Sequence, residues 1–374
     1  MHVPFYSSIR EYQARKPEFD AAVQGVMARG DFILGSDVAE FEYETASWLG
    51  AKYAVGLASV SDALVIASDI LGFRDGTEVL TPTFTFFAST SCVARLGGKP
   101  VLVDMDEETL NMDLADAEKK LTRKTTGIIP VHLFQQCTPL QKVRDLAKAN
   151  GLKVLEDAAE AWGMKSLVDG NWRMAGTVGD IGIYSFFPTK TLGAYGDAGL
   201  AVTDDEELFK KLKSYRVHGS SIKYHHDYIG YNSRLDTMQA AILRVKLKNT
   251  DASIAARARH AEHYSQRLSG LPGLRIPPVA KENKPVYYVY NVLLGGRDKL
   301  IERFKEKGIG YSIYYPKPLH LQQCFAYLGW KEGDFPVAES VARRIVALPI
   351  YPEITDDEVD YVCDEIAAFC RSQE

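Results

Sequence analysis

The chain has no Cys-x-x-Cys pair: its five cysteines, at positions 92, 137, 324, 363 and 370, are odd in number and scattered. That spacing excludes a disulfide framework and a cysteine-built zinc cluster, and most of the five are expected to pack as buried small apolar residues. Positive charge is not in excess either, with 44 Lys and Arg against 49 Asp and Glu and a formal charge of -5. Without a polybasic arm there is no electrostatic reason to expect nucleic acid as a partner. No apolar run approaches the ~20 residues of a membrane helix, and the start, Met-His-Val-Pro-Phe-Tyr, is not a basic segment followed by an apolar one. The expectation is a cytoplasmic protein with no signal peptide and no membrane partner. His260 and His263 stand three apart on a helical pattern; alone, that spacing describes a solvated helix face, and no metal is assigned.

What is present is a globular composition, 46% apolar and 25% charged over 374 residues, enough for a large domain with a smaller one attached. From about residue 50 to 204, short apolar runs (53–58, 78–82, 100–104, 127–133, 153–156, 180–186, 199–203) alternate with helical patterns at 62–71, 86–96 and 140–150. That alternation predicts an α/β sheet covered by helices. A long helical pattern then runs from 235 to 268, broken by Gly-Leu-Pro-Gly at 270–273. A strand pattern at 286–294 and helical patterns at 299–307 and 356–369 follow. They predict a small α+β unit, with the boundary at 250: a large domain over 1–250 and a C-terminal one over 251–374.

Two features carry chemistry. Asp157 follows Lys-Val-Leu-Glu, at the C-terminal end of a strand, where open α/β sheets bind ligands. Lys190 ends Ser-Phe-Phe-Pro-Thr-Lys, where Pro188 forbids a simple helix and Gly193, Gly196 and Gly199 permit close backbone approach. A lysine able to form a Schiff base and a carboxylate able to hold a pyridine nitrogen protonated are what pyridoxal phosphate chemistry requires. The three glycines do not form a dinucleotide fingerprint, since they have the wrong spacing and do not join a first strand to its helix. For the phosphate, Ser59-Val60-Ser61 joins a strand to a helix whose N-terminal amides could take a dianion, with Ser59 or Ser61 equally able to serve as a plain N-cap. Ser185 adds a hydroxyl. Phe84, Phe86 and Phe87 offer a ring to cover the pyridine face, with two of the three expected in the core.

These motifs, with Gly-Asp-Phe-Ile-Leu-Gly at 30–35, Pro-Val-His-Leu at 130–133, Glu-Asp-Ala-Ala at 156–159, Gly-Tyr-Asn-Ser-Arg-Leu-Asp at 230–236 and Tyr-Tyr-Pro-Lys-Pro-Leu-His at 314–320, resemble the DegT/DnrJ/EryC1/StrS sugar aminotransferases, and the match runs along essentially the whole chain. The resemblance implies the fold-type I aminotransferase architecture: a mixed, mostly parallel seven-stranded sheet flanked by helices, plus a smaller C-terminal α+β domain. It implies pyridoxal 5′-phosphate as cofactor, Lys190 and Asp157 as the catalytic pair, and Phe86, Ser185 and the 60–61 backbone around the cofactor. Glu160 falls where the family commonly has glutamine or histidine. Asn232 matches an asparagine that reaches the neighbouring subunit's cofactor, so a homodimer with shared sites is implied. His225, His226, Arg234, Tyr314 and His320 are the substrate-side candidates.

The chain departs from the family pattern at several positions: Ser59-Val60-Ser61 for Asn/Ser-Gly-Thr, Gln135 where a glycine precedes Gln136, Trp162 for a small residue or histidine, and Ala198 for a glycine. None removes an essential group. Pro-Thr-Lys followed by Leu-Gly-Ala-Tyr-Gly-Asp is most similar to enzymes that aminate 3-keto nucleotide sugars, including UDP-linked 3-keto-N-acetylglucosaminuronate, with L-glutamate as donor. A dTDP carrier, a C4 ketone and a free keto-sugar acid are the alternatives. A dehydratase of the family carries histidine in place of Lys190, and a regulatory protein on the same fold is expected to lack Lys190 or Asp157 or to have gained a DNA-binding segment.

Overall fold

The computed structural model describes residues 1–373. Seven strands form the main sheet: β1 (Tyr53–Leu57), β2 (Glu78–Pro82), β3 (Lys99–Val103), β4 (Thr125–Ile128), β5 (Lys153–Asp157), β6 (Ile181–Ser185) and β7 (Gly199–Thr203). Their order is β1-β7-β6-β5-β4-β2-β3, and β7 alone runs against the rest. Strands covered on both faces read as continuous apolar runs, and β2, β6 and β7 are buried throughout.

Alternation along the strands decides which helices cover which face. Val55, Val79, Ile183 and Ala201 pack under the helices Val60–Ile70 and Ala88–Arg95. Their neighbours Ala54, Tyr184, Leu200 and Val202 pack under Ser36–Leu49 and Thr237–Leu247. Each buried aliphatic side chain stabilises the stack by about 1.5–3 kcal/mol. The parallel strands all point their C-terminal ends to one edge, which is where β5 delivers Asp157 and where the turn after β6 begins.

The C-terminal part of the chain builds a smaller antiparallel sheet, β8 (Leu274–Arg275), β9 (Tyr290–Leu294) and β10 (Ile345–Leu348) in the order β8-β9-β10, covered by the helices Thr250–Leu268, Arg297–Lys307 and Asp356–Arg371. The helical pattern predicted over 235–268 is two helices, Thr237–Leu247 and Thr250–Leu268, separated at Lys248 and Asn249. Along the second helix the packing partner changes, from the first core at Ile254 to the smaller core at Ala261, Tyr264 and Leu268. The chain's start returns to this smaller core, where Val3 bridges Ile309.

Two sequence expectations are corrected here, and the burial of most cysteines is met. The 127–133 run is a strand only to Ile128, since Pro130 lacks the N–H a ladder needs. His260 is fully buried rather than solvated, within 3.4 Å of the Pro352 carbonyl, while His263 meets Asp360 at 2.9 Å. Cys324 is exposed, and the other four cysteines are buried. Among the described residues no helix is long and apolar enough to cross a membrane, and no group of three or more His, Cys, Asp or Glu side chains could hold a metal.

Candidate active site

Asp157 is the last residue of β5 and only 2% exposed. Its Oδ2 accepts a hydrogen bond from Ser89 Oγ at 2.7 Å, and its Oδ1 accepts from the Ala159 N–H at 3.0 Å. Two bonds leave a carboxylate with spare acceptor capacity. Burial raises its pKa above the ordinary value, while Ser89, the Ala159 N–H and the Lys190 charge pull it partway back.

Lys190 sits on the turn after β6, where its N–H donates to the Phe187 carbonyl at 2.9 Å across Pro188 and Thr189. Its amine is mostly enclosed. Nζ lies 3.4 Å from Glu160 Oε1 and 4.1 Å over the ring of Tyr288. Tyr288 is itself pinned by a 3.2 Å contact between its hydroxyl and Thr189 Oγ1, and burial, then the Glu160 charge, push its pKa up to about 12.

Both groups open into one cavity of about 430 Å³, which also takes in Ser59, Val60, Ser61, Phe86, Glu160, Ser185 and Tyr314. At one end stands the helix Val60–Ile70. Ser59 is its N-cap, accepting from the Asp62 N–H at 3.1 Å. The amides of Val60 and Ser61, in the first turn, have no intrahelical carbonyl to reach and are free for an anion. Opposite them β7 begins at Gly199, so close that a Cβ there would lie 2.6 Å from Ser59 C and 2.7 Å from Val60 N. Ser185 Oγ accepts from the Phe187 N–H at 3.3 Å, leaving its proton to donate elsewhere. Phe86 presents an exposed ring beside Tyr315. Only Phe84 of the three phenylalanines is core; Phe87 is 44% exposed and packs on Phe325, which corrects the expectation that two of the three would be buried.

Comparison with known proteins matches residues 13–367 to the DegT/DnrJ/EryC1/StrS aminotransferase family. The chain belongs to that family. A relative from Geobacillus stearothermophilus, named a pleiotropic regulatory protein, is 43% identical over 99% of both chains. The UDP-N-acetyl-3-dehydro-alpha-D-glucosamine 3-aminotransferase of Acidithiobacillus ferrooxidans is 38% identical over 96% of this chain and 95% of its own. Among solved structures, Streptomyces venezuelae DesV in complex with a ketimine intermediate superposes with a TM-score of 0.95 at 37% identity, covering 99% of this chain and 98% of that one.

DegT/DnrJ/EryC1/StrS aminotransferases depend on pyridoxal phosphate, and the donor set here fits that group: a buried carboxylate with acceptor capacity to spare, a nearly enclosed amine, free helix amides and an exposed aromatic face. Other expected residues do not converge on the cavity of this chain. Asn232 is exposed and bridges Val217, Arg234 is half-buried nearby, and His225 and His226 occupy a short exposed hairpin. His320 is not among the residues that line the cavity. It is 2% exposed, with Nδ1 against Thr83 Oγ1 at 2.9 Å and Nε2 against Glu339 Oε1 at 3.0 Å, a clamp between the turn after β2 and the helix Pro336–Arg344. Ser89 and Tyr288, both against the central pair, were not singled out from the sequence. Ser89 has a weak signal, one helical turn beyond Phe86; Tyr288, in Val-Tyr-Tyr-Val-Tyr, has none.

Proposed function

We propose that the chain transfers an amino group from L-glutamate to a nucleotide-linked keto sugar, at the C3 ketone of a UDP-linked sugar such as UDP-3-keto-N-acetylglucosaminuronate. The observation that carries this reading is the convergence of Lys190 and Asp157 on one cavity whose far end is a helix N-terminus. Support for C3 comes from relatives whose names place an oxo or amino group at C3 of UDP- or dTDP-linked sugars. Bound pyridoxal phosphate supplies an electron sink for the charge left when a Cα proton departs.

The residues do the rest. Asp157 accepts the pyridine N–H and keeps that proton in place. The Val60 and Ser61 amides and the Ser185 hydroxyl bind the phosphate, and Phe86 covers one ring face. Lys190 Nζ would carry the proton from the Cα of glutamate to the cofactor's C4′ carbon, and the second half would run the same transfer in reverse on the keto sugar. The Tyr288 ring stands 4.1 Å from Nζ, and Tyr315 lines the same cavity. Asn232 contributes to the partner subunit's site in a homodimer.

The test has two stages. Adding glutamate to the cofactor-loaded protein shifts its visible band, and the isolated aminated form is then offered a panel of keto sugars, with mass spectrometry reporting which one consumes it. Lys190→Ala abolishes turnover. No glutamate shift, or normal turnover by Lys190→Ala, would sink the aminotransferase reading; consumption only by dTDP-linked sugars or a free keto acid would overturn the UDP reading alone.

A further inference from the structure

One wall of the Lys190 cavity comes from the chain's start. Phe5, half-buried, lines it beside Tyr314, with ring centroids 6.3 Å apart, and Tyr314 in turn stands 6.4 Å from Tyr288, the ring over which Lys190 Nζ lies. The path that brings Phe5 here is fixed by the backbone around residue 309. Val3 is fully buried in the smaller core; its N–H donates to the Gly308 carbonyl at 2.9 Å, and its carbonyl accepts from the Gly310 N–H at 2.7 Å. Only a glycine at 310 lets this N-terminal strap pass, since a Cβ there would lie 2.2 Å from Phe5 N and 2.9 Å from Pro4 C.

The polar groups of the lining are engaged elsewhere. Asp157, Ser89, Ser185 and the 59–61 turn make the cofactor site already described, Thr85 Oγ1 lies 3.1 Å from Ser89 Oγ, and Thr189 Oγ1 meets Tyr288. Glu160 faces Lys190, and Asp197 stands two residues before Gly199, at the phosphate end. Phe5, Tyr314 and Tyr315 form an aromatic wall whose only polar side-chain atoms are two phenol oxygens. A phenyl face left in water is unfavourable until something covers it. In transamination both substrates bring their reacting carbon to Lys190 in turn. Glutamate is an open chain ending in two carboxylates, with no face to lay on a ring. A gluco-configured pyranose holds its hydroxyls equatorially and turns axial C–H groups out from its faces, and these weakly positive hydrogens suit the negative face of an aromatic ring.

We infer that Phe5 is a specificity-determining residue: the pyranose ring of the acceptor sugar lies against Phe5 and Tyr314, so the N-terminal strap recognises the sugar and is indifferent to glutamate. The inference rests on the reading of a keto sugar as acceptor, and it adds to that reading a residue that acts on one half of the reaction only.

The test separates the two half-reactions in the full-length, cofactor-loaded protein. The first is followed by the visible band on adding glutamate. The second is followed by consumption of the isolated aminated form over a range of concentrations of UDP-N-acetyl-3-dehydro-α-D-glucosamine and, in parallel, of a dTDP-linked 3-keto sugar. Phe5→Ala raises the half-saturating sugar concentration about tenfold and leaves the limiting rate within about twofold, with the glutamate half-reaction and the melting temperature unchanged. Phe5→Tyr, which keeps the ring, keeps the parent's sugar binding. Gly310→Ala displaces the strap and repeats the Phe5→Ala pattern; should that variant not fold, the two Phe5 variants decide. Parent-like half-saturation in Phe5→Ala, or sugar and glutamate weakened equally, overturns this inference alone. If glutamate shifts the parent's band but neither sugar consumes the aminated form, the acceptor reading falls and this inference with it.

Discussion

Replacing Glu156 by Gln isolates how much the strand carrying Asp157 owes to a single buried anion. Glu156 and His132 are both fully buried. Each Glu156 oxygen takes two donors: Oε2 from His132 Nε2 at 3.0 Å and the Gly176 N–H at 2.8 Å, Oε1 from the Val178 N–H at 2.6 Å and the Gly179 N–H. Gly176 holds φ +88°, and a Cβ there would lie 2.5 Å from the Tyr184 hydroxyl, so the loop's path is fixed around the carboxylate. A glutamine can satisfy only one pair. Its NH₂ must face the other, leaving two buried donors unbonded at about 1–3 kcal/mol each, or about 2–6 kcal/mol in all. At about 2.1 cal/mol/K per residue the chain's unfolding entropy is about 0.8 kcal/mol/K, so Tm falls by about 3–8 °C at pH 7. Burial works to raise the Glu156 pKa, but the His132 bond and charge and the Gly179 and Gly176 amides hold it below the ordinary value. A depressed carboxylate stabilises the fold above its unfolded pKa of about 4.3 and ceases to as pH falls through the folded value. The gap between the two proteins therefore narrows in acid. Circular dichroism melts from pH 7 downward measure this, and a variant melting within a degree of the parent at pH 7 would refute the donor count.

Ser89→Ala removes the 2.7 Å bond to Asp157; since that bond lowers the Asp157 pKa, the acid limb of the pH–rate profile moves to higher pH, and an unmoved limb contradicts the assignment. Gly199→Ala drives a methyl into the Ser59–Val60 backbone, costing about 1–3 kcal/mol of stability and at least about tenfold in cofactor affinity, read by equilibrium dialysis. Lys190→Ala and Asn232→Ala, each inactive alone, recover activity when refolded together, because one site of the mixed dimer has both native residues. No recovery would place Asn232 outside its partner's site.

The seven strands were legible because each is a short apolar run bounded by turn residues, and the Lys190 turn was legible because Pro188 and its glycines act locally. The neighbours that set the chemistry were not. Ser89 reaches Asp157 across 68 positions and Tyr288 reaches Lys190 across 98, and nothing in a local pattern records a contact of that range. His320 shows the opposite failure. Its motif was visible, but a motif does not say which way a side chain turns, and Thr83 and Glu339, far apart in sequence, turn this one inward. The helical pattern over 235–268 misled in a third way, since periodicity continues through Lys248 and Asn249 while the backbone does not.

Val60 was the departure that most threatened the phosphate site, because a β-branched residue stands where the family has glycine. The geometry explains why it can be tolerated. An anion at a helix N-terminus is bound by N–H groups, and the Val60 amide is unaffected by what its Cβ carries. Its side chain packs against the core beneath the Val60–Ile70 helix. The close backbone approach that a glycine usually permits is found instead on the opposite wall, at Gly199, where there is no room for even one methyl. The need for a glycine has thus not vanished from the cradle. It rests on β7, whose antiparallel direction brings its first residue to the same edge as the ends of the parallel strands, so the one reversed strand of the sheet is also the one that closes the cradle beside the helix.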